Sequence, residues 1–152
     1  MVFRELMITR ETMFLFDGPL DASLTILLAH GTGVPMDSAS MNVIAYAIAG
    51  AGIRVARFEF GYMAGRRHFQ AKRPPPPAET LCSEYIAAVD ALSAPGPLII
   101  VGKSMGGRVA SMIADDLYAS ARTSDYYASA IRSIPSVSRV SCEPLISANW
   151  RR

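Results

Sequence analysis

Pro97-Leu98-Ile99-Ile100-Val101-Gly102-Lys103-Ser104-Met105-Gly106-Gly107-Arg108-Val109 is the stretch on which the reading of this chain turns. Pro97–Val101 is apolar without alternation, as expected of a strand covered on both faces in a parallel sheet. Downstream, Val109, Met112, Ile113 and Leu117 fall at helical spacing, so a helix is predicted from Ser104 to about Leu117. Between them stands G-x-S-x-G, formed by Gly102, Ser104 and Gly106. The two glycines allow a sharp turn without Cβ clashes, which presents the Ser104 hydroxyl at the carboxyl end of the strand. There the helix dipole and free N–H groups favour developing negative charge. The plainer alternative is a serine N-cap in a glycine turn.

A second loop of the same kind lies upstream. Leu24–Ala29 (LTILLA) is another doubly covered strand, followed by His30-Gly31-Thr32-Gly33. Small residues there let a backbone N–H approach a substrate oxygen. The N–H groups of Thr32 and Met105 together would make a two-donor oxyanion hole. His30 reads as a structural residue holding the loop, not as a general base.

The remaining elements extend this pattern. Thr12–Phe16 is a short apolar stretch closed by the turn signal Asp17-Gly18-Pro19. Asp37 and Ser38 can cap a helix carrying Met41, Ile44, Ala45 and Ile48, stopped by Gly50 and Gly52. Ile53–Phe60 reads as a strand. Glu79–Leu92 reads as a helix with Leu81, Tyr85, Ala88, Val89 and Leu92 on one face. Strand and helix alternate, which predicts an α/β fold: a mostly parallel sheet with helices on both faces.

Composition narrows the function classes. Of the 152 residues 51% are hydrophobic and 18% charged, which suits one packed domain and excludes a disordered chain. Residues 1–120 carry a net charge of −1, so the body is no basic nucleic-acid binder. Cys82 and Cys142 form neither a metal quartet nor a disulfide framework, which fits a reducing compartment; no metal or cofactor is expected. The start is too broken by charge for a signal peptide, and the longest apolar run, Val43–Ile53, is too short to span a bilayer. A soluble, cytoplasmic protein with no membrane association is expected.

Two lookalikes fail. A P-loop needs glycine where Pro97 stands, and the dinucleotide fingerprint begun by Gly31 and Gly33 meets Met36 at its third position. Arg66-Arg67-His68 and Lys72-Arg73, before Pro74–Pro77, read as a solvated basic loop stiffened by polyproline. The functional alternative is a rim for an anionic substrate or acidic partner.

LLAHGTG, PMDS, RFEFGYMAGRR, KRPPPP and VGKSMGGRVASMIAD together resemble one branch of the α/β-hydrolase superfamily, across roughly residues 12–119. That branch is related to dienelactone hydrolases. It includes bacterial homologues of the testis-expressed hydrolase-like proteins and of the third subunit of the NSL histone-acetyltransferase complex. The resemblance implies Ser104 as nucleophile, Met105 and Thr32 as oxyanion donors, a small ester-like substrate and no cofactor.

The chain departs from that pattern after Ser104. In this superfamily an acid and then a histidine follow the serine, yet His30 and His68 both precede it. Asp115 and Asp116 sit on the serine's own helix, about three turns on. Residues 120–152 hold eight Ser and five Arg but no Gly, and show neither helical nor strand period. Read one base earlier, the codons of Tyr126 and Tyr127 must both encode Leu, and codons exist that turn SDYYASAIRSIP into GLLCLGYPFHP, as the branch carries on its next strand. Residues 1–119 are therefore expected to be the amino-terminal part of an incomplete α/β-hydrolase domain. Residues 120–152 are expected to be an irregular, frame-shifted tail, which DNA sequencing across codons 117–125 would reveal. A sheet lacking its later strands would expose the Leu98–Val101 edge to self-association. Two functions follow: a serine esterase, nearly inactive as written, or a non-catalytic hydrolase-like scaffold or binding module.

Overall fold

The computed structural model describes residues 4–9, 12–69, 74–120 and 130–131. The elements in chain order are β1 (Arg4–Thr9), β2 (Thr12–Asp17), β3 (Thr25–Ala29), α1 (Ala39–Gly50), β4 (Arg54–Phe58) and α2 (Gly61–Phe69). They continue with α3 (Ala78–Ala91), β5 (Leu98–Lys103), α4 (Met105–Ala119) and the short β6 (Ala130–Ile131). The strands form one sheet in the order β1-β2-β4-β3-β5-β6. β3 pairs in parallel with β4 and β5, and β5 with β6, while β1–β2 and β2–β4 are antiparallel. The expected α/β class is what the chain adopts.

Strand side chains alternate between two apolar layers. Leu27, Ala29, Ala56, Phe58 and Ile100 face α3 and α4, packing with Leu81, Tyr85, Val109, Ile113 and Leu117. Leu28, Val55 and Val101 face α1, packing with Met41 and Ala45. Both faces are covered, which is why these strands read as continuous apolar runs. The β2–β4 region also holds a fully buried ion pair, Arg57 to Asp17 at 2.6 Å. Arg57 donates as well to the Met36 carbonyl and Asn42 Oδ1, both at 2.8 Å. Bonds of this kind offset the desolvation of a buried charge.

The structure differs from the sequence reading in four places. β1 was not predicted. The basic Arg66-Arg67-His68 run lies on helix α2, not in a loop. β4 is shorter than Ile53–Phe60. Ser38 does occupy the N-cap of α1, but its side chain makes no capping hydrogen bond. Its hydroxyl lies 3.4 Å from that of Ser40, and the Asp37 carboxylate is engaged by Arg67. The predicted irregular tail falls outside the described residues, apart from Ser120, the C-cap of α4, and the two residues of β6. Leu98, Ile100 and Val101 are buried by the helices. Along the β5 edge away from β3, the described pairing is that of Gly102 and Lys103 with β6.

Candidate active site

Ser104 sits between β5 and α4 with φ 53° and ψ −114°, alone among the described non-glycine residues in taking a positive φ. An L-residue there is strained by roughly 1–3 kcal/mol, a conformation tolerated only where its surroundings impose it. Those surroundings are the glycines. A Cβ on Gly102 would fall on the backbone of Gly106 and Gly107. A Cβ on Gly106 would lie 2.6 Å from the His30 carbonyl and 2.8 Å from that of Ala29. The end of β3 is thus pressed against the first turn of α4, and the serine between them is held out, exposed.

The same close approach brings the second predicted loop to the serine. A Cβ on Gly31 would stand 3.6 Å from the Ser104 Cβ and 3.4 Å from the Lys103 carbonyl. The His30–Gly33 loop therefore flanks the elbow. Met105 is half-buried and packs on the core, so its backbone N–H opens the helix. Lys103 reaches the other way, donating from Nζ to Ser40 Oγ at 2.8 Å. Gly33 has open space around it.

His30 is fully buried, and both ring nitrogens are committed to backbone. The Phe60 N–H donates to Nε2 at 3.1 Å, so the proton sits on Nδ1, which donates to the Gly31 carbonyl at 2.6 Å. Burial lowers its pKa, with the Gly31 bond and Glu59 opposing. A neutral imidazole tied in this way braces the loop and has no lone pair left to accept a serine proton. Asp115 and Asp116 are exposed on α4, about 17 Å of helix rise beyond Ser104. The structure does not bring either of them to the serine.

Sequence reading missed two residues here. Tyr62, in the first turn of α2, donates from its hydroxyl to the Thr32 carbonyl at 3.3 Å. Burial pushes its pKa up to about 12, keeping it a donor throughout the ordinary pH range. Glu59, whose side chain is 2% exposed, accepts the Met36 N–H at 3.0 Å and two hydrogen bonds from Arg67. A lone acid among the apolar residues of Ile53–Phe60 was the available signal for Glu59. Tyr62 lies with Glu59 in RFEFGYMAGRR, a motif that carried the family resemblance but assigned neither residue a role.

A cleft of about 440 Å³ is lined by Phe14, Phe16, Arg54, Leu92, Ser93 and Pro95. It lies where β4 begins and α3 ends, at the opposite end of the parallel strands from Ser104, and takes no part in this site. Among the described residues no group of three His, Cys, Asp or Glu side chains could hold a metal, and no helix is long and apolar enough to cross a membrane.

The family profile described as alpha/beta hydrolase domain matches residues 22–128. The chain belongs to that family. Solved structures of similar fold include a dienelactone hydrolase from Anabaena variabilis, with TM-score 0.58 and 20% identity over 76% of this chain. Brefeldin A esterase, a bacterial homologue of human hormone-sensitive lipase, has TM-score 0.52 and 15% identity over 80% of it. A putative lipase from Acinetobacter baumannii has TM-score 0.53 and 18% identity over 76%. At these identities the likeness establishes the fold. This hydrolase-family chain spans 57% of the dienelactone hydrolase and 36% and 37% of the other two. No curated protein sequence matches it significantly.

Proposed function

We propose that the chain is a serine hydrolase-like protein whose Ser104 Oγ attacks the acyl carbon of a small carboxylic ester. The observation that carries this reading is the strained φ of 53° at an exposed serine opening α4. Attack would form the Oγ–C bond and place negative charge on the former carbonyl oxygen. The N–H groups of Thr32 and Met105 are the proposed donors to that oxygen. With no protein base, solvent water takes the Oγ proton during attack and returns one to the alkoxide as the C–O bond breaks, so that the alcohol leaves and an acyl-serine remains, which a further water hydrolyses to the acid and free Ser104. We assign the chain to the dienelactone-hydrolase-related branch and to the cytoplasm, the first on its motifs and the second on its cysteine usage.

Turnover by these 152 residues is proposed to be very slow. No histidine follows Ser104 in the sequence, and His30 has both nitrogens engaged. A serine without a base is a poor nucleophile. In a comparable protease, losing the serine or the histidine lowers kcat by on the order of 10⁶. The same observation favours a second reading, a non-catalytic binding module on the hydrolase fold. Hydrolysis of p-nitrophenyl acetate separates the two. The esterase reading expects a slow release of p-nitrophenol that Ser104→Ala abolishes. Identical background rates in both proteins would leave the binding module.

A further inference from the structure

We propose that helix α2 is the brace that fixes the oxyanion loop, with Tyr62 and Arg67 as its positioning residues; this rests on the serine-hydrolase reading of Ser104. From His30 to Ser38 the chain runs between β3 and α1 without helix or strand. The direction of the Thr32 N–H therefore depends on what ties this loop down. The β4–α2 segment holds it at both ends. At the start, the Phe60 N–H holds His30 and the Tyr62 hydroxyl holds the Thr32 carbonyl, at 3.1 and 3.3 Å. The Gly31 carbonyl, which accepts from His30 Nδ1 at 2.6 Å, shares one planar peptide with the Thr32 N–H and sets its direction, while the Tyr62 bond to the Thr32 carbonyl fixes the next peptide and so limits the turn of the loop about Thr32.

At the far end the tie is ionic. Arg67 Nε and NH2 donate to the two oxygens of Glu59 at 2.7 and 2.9 Å. NH2 and NH1 also donate to the two oxygens of Asp37 at 2.5 and 3.2 Å. One guanidinium thus spans two carboxylates, one on the loop and one beside β4, while Glu59 Oε1 also accepts the Met36 N–H at 3.0 Å. Planar, forked donors make this geometry specific to arginine. Arg67 is partly exposed, but its charge is engaged by Glu59 and Asp37, which leaves it poorly placed as a rim for an anionic ligand. Arg66 caps the brace by lying over the Tyr62 ring, 5.4 Å from its centroid.

Hydrogen exchange of the full chain, read by mass spectrometry, tests the brace independently of catalysis. Arg67→Ala should speed exchange across residues 32–38 by roughly tenfold to hundredfold, and Tyr62→Phe, which removes one oxygen, by roughly two- to tenfold. Arg67→Lys should restore only part of the protection, and Glu79→Gln on α3 should leave the loop at the wild-type rate. Exchange at 32–38 that stays at the wild-type rate in Tyr62→Phe and Arg67→Ala overturns the proposal. Fluorophosphonate labelling of Ser104 should slow in Tyr62→Phe; unchanged labelling with a loosened loop overturns the aiming role of the brace. A wild-type protein that takes no label refutes the serine reading, and the exchange data still decide whether α2 holds the loop.

Discussion

Replacing Ser104 by glycine and by alanine should give two proteins of different stability, with glycine the more stable. Both substitutions remove the hydroxyl, so their difference isolates the backbone. At φ 53° and ψ −114° an L-residue is strained, whereas for glycine the mirror-image region is open. Relief of about 1–3 kcal/mol of strain is offset by the roughly 0.5–1 kcal/mol that glycine loses through the freedom of its unfolded chain. At the middle of these ranges Ser104→Gly should exceed Ser104→Ala by about 1 kcal/mol, a rise in Tm of roughly 2–4 °C for a domain of this size. Urea unfolding followed by circular dichroism reads the difference directly, provided the two variants share one m-value. An alanine variant as stable as the glycine variant would mean that the turn is not strained, and the physical basis for singling out Ser104 would be gone.

Gly106→Ala should destabilise by about 2–3 kcal/mol, because its Cβ meets backbone carbonyls of β3 and its neighbouring loop at 2.6 and 2.8 Å. Gly65→Ala, with open space inside α2, should stabilise by up to about 1 kcal/mol, and thermal melts of the pair check both signs. Asp17→Ala strands the buried Arg57 and should lower the urea-unfolding free energy by about 3–5 kcal/mol. Burial lowers the His30 pKa in the folded state, so its contribution is complete above the unfolded value near 6.5 and is lost as pH falls below it. Stability should therefore drop between pH 7 and 5 by up to about 1.4 kcal/mol per pH unit, and His30→Asn should flatten that slope in pH-dependent urea titrations. Self-association through the β5 edge should appear as concentration-dependent sedimentation; a monodisperse monomer at all concentrations would contradict it.

The parts legible in the sequence were those fixed by local pattern. β3 and β5 are buried on both faces and so read as unbroken apolar runs. The turn at Ser104 announces itself through G-x-S-x-G, although only Gly102 is demanded by its near neighbours Gly106 and Gly107, while Gly106 is demanded by the distant carbonyls of Ala29 and His30. β1 gave no such signal, since it opens on Arg4 and Glu5, ends before Arg10-Glu11, and leaves an apolar run of only three residues, Leu6–Ile8. Helix α2 escaped notice because Gly61 and Gly65 are poor helix formers and the stretch between them is too short to show a helical stripe. It forms where Arg67 can reach Glu59 and Asp37, and residues eight and thirty positions apart meet only in the folded chain. The Ser38 cap failed for the same reason: its neighbour Asp37 has a tertiary partner that sequence spacing cannot reveal.

The central claim is that Ser104 is presented as a nucleophile, and covalent phosphonylation tests it most directly. The wild-type chain should be incubated with a fluorophosphonate, digested, and the modified peptide located by tandem mass spectrometry. One adduct is expected, on Ser104, formed slowly because no base activates the hydroxyl, and absent from Ser104→Ala. An unmodified wild-type protein, or label spread over surface serines and unchanged in Ser104→Ala, would contradict it.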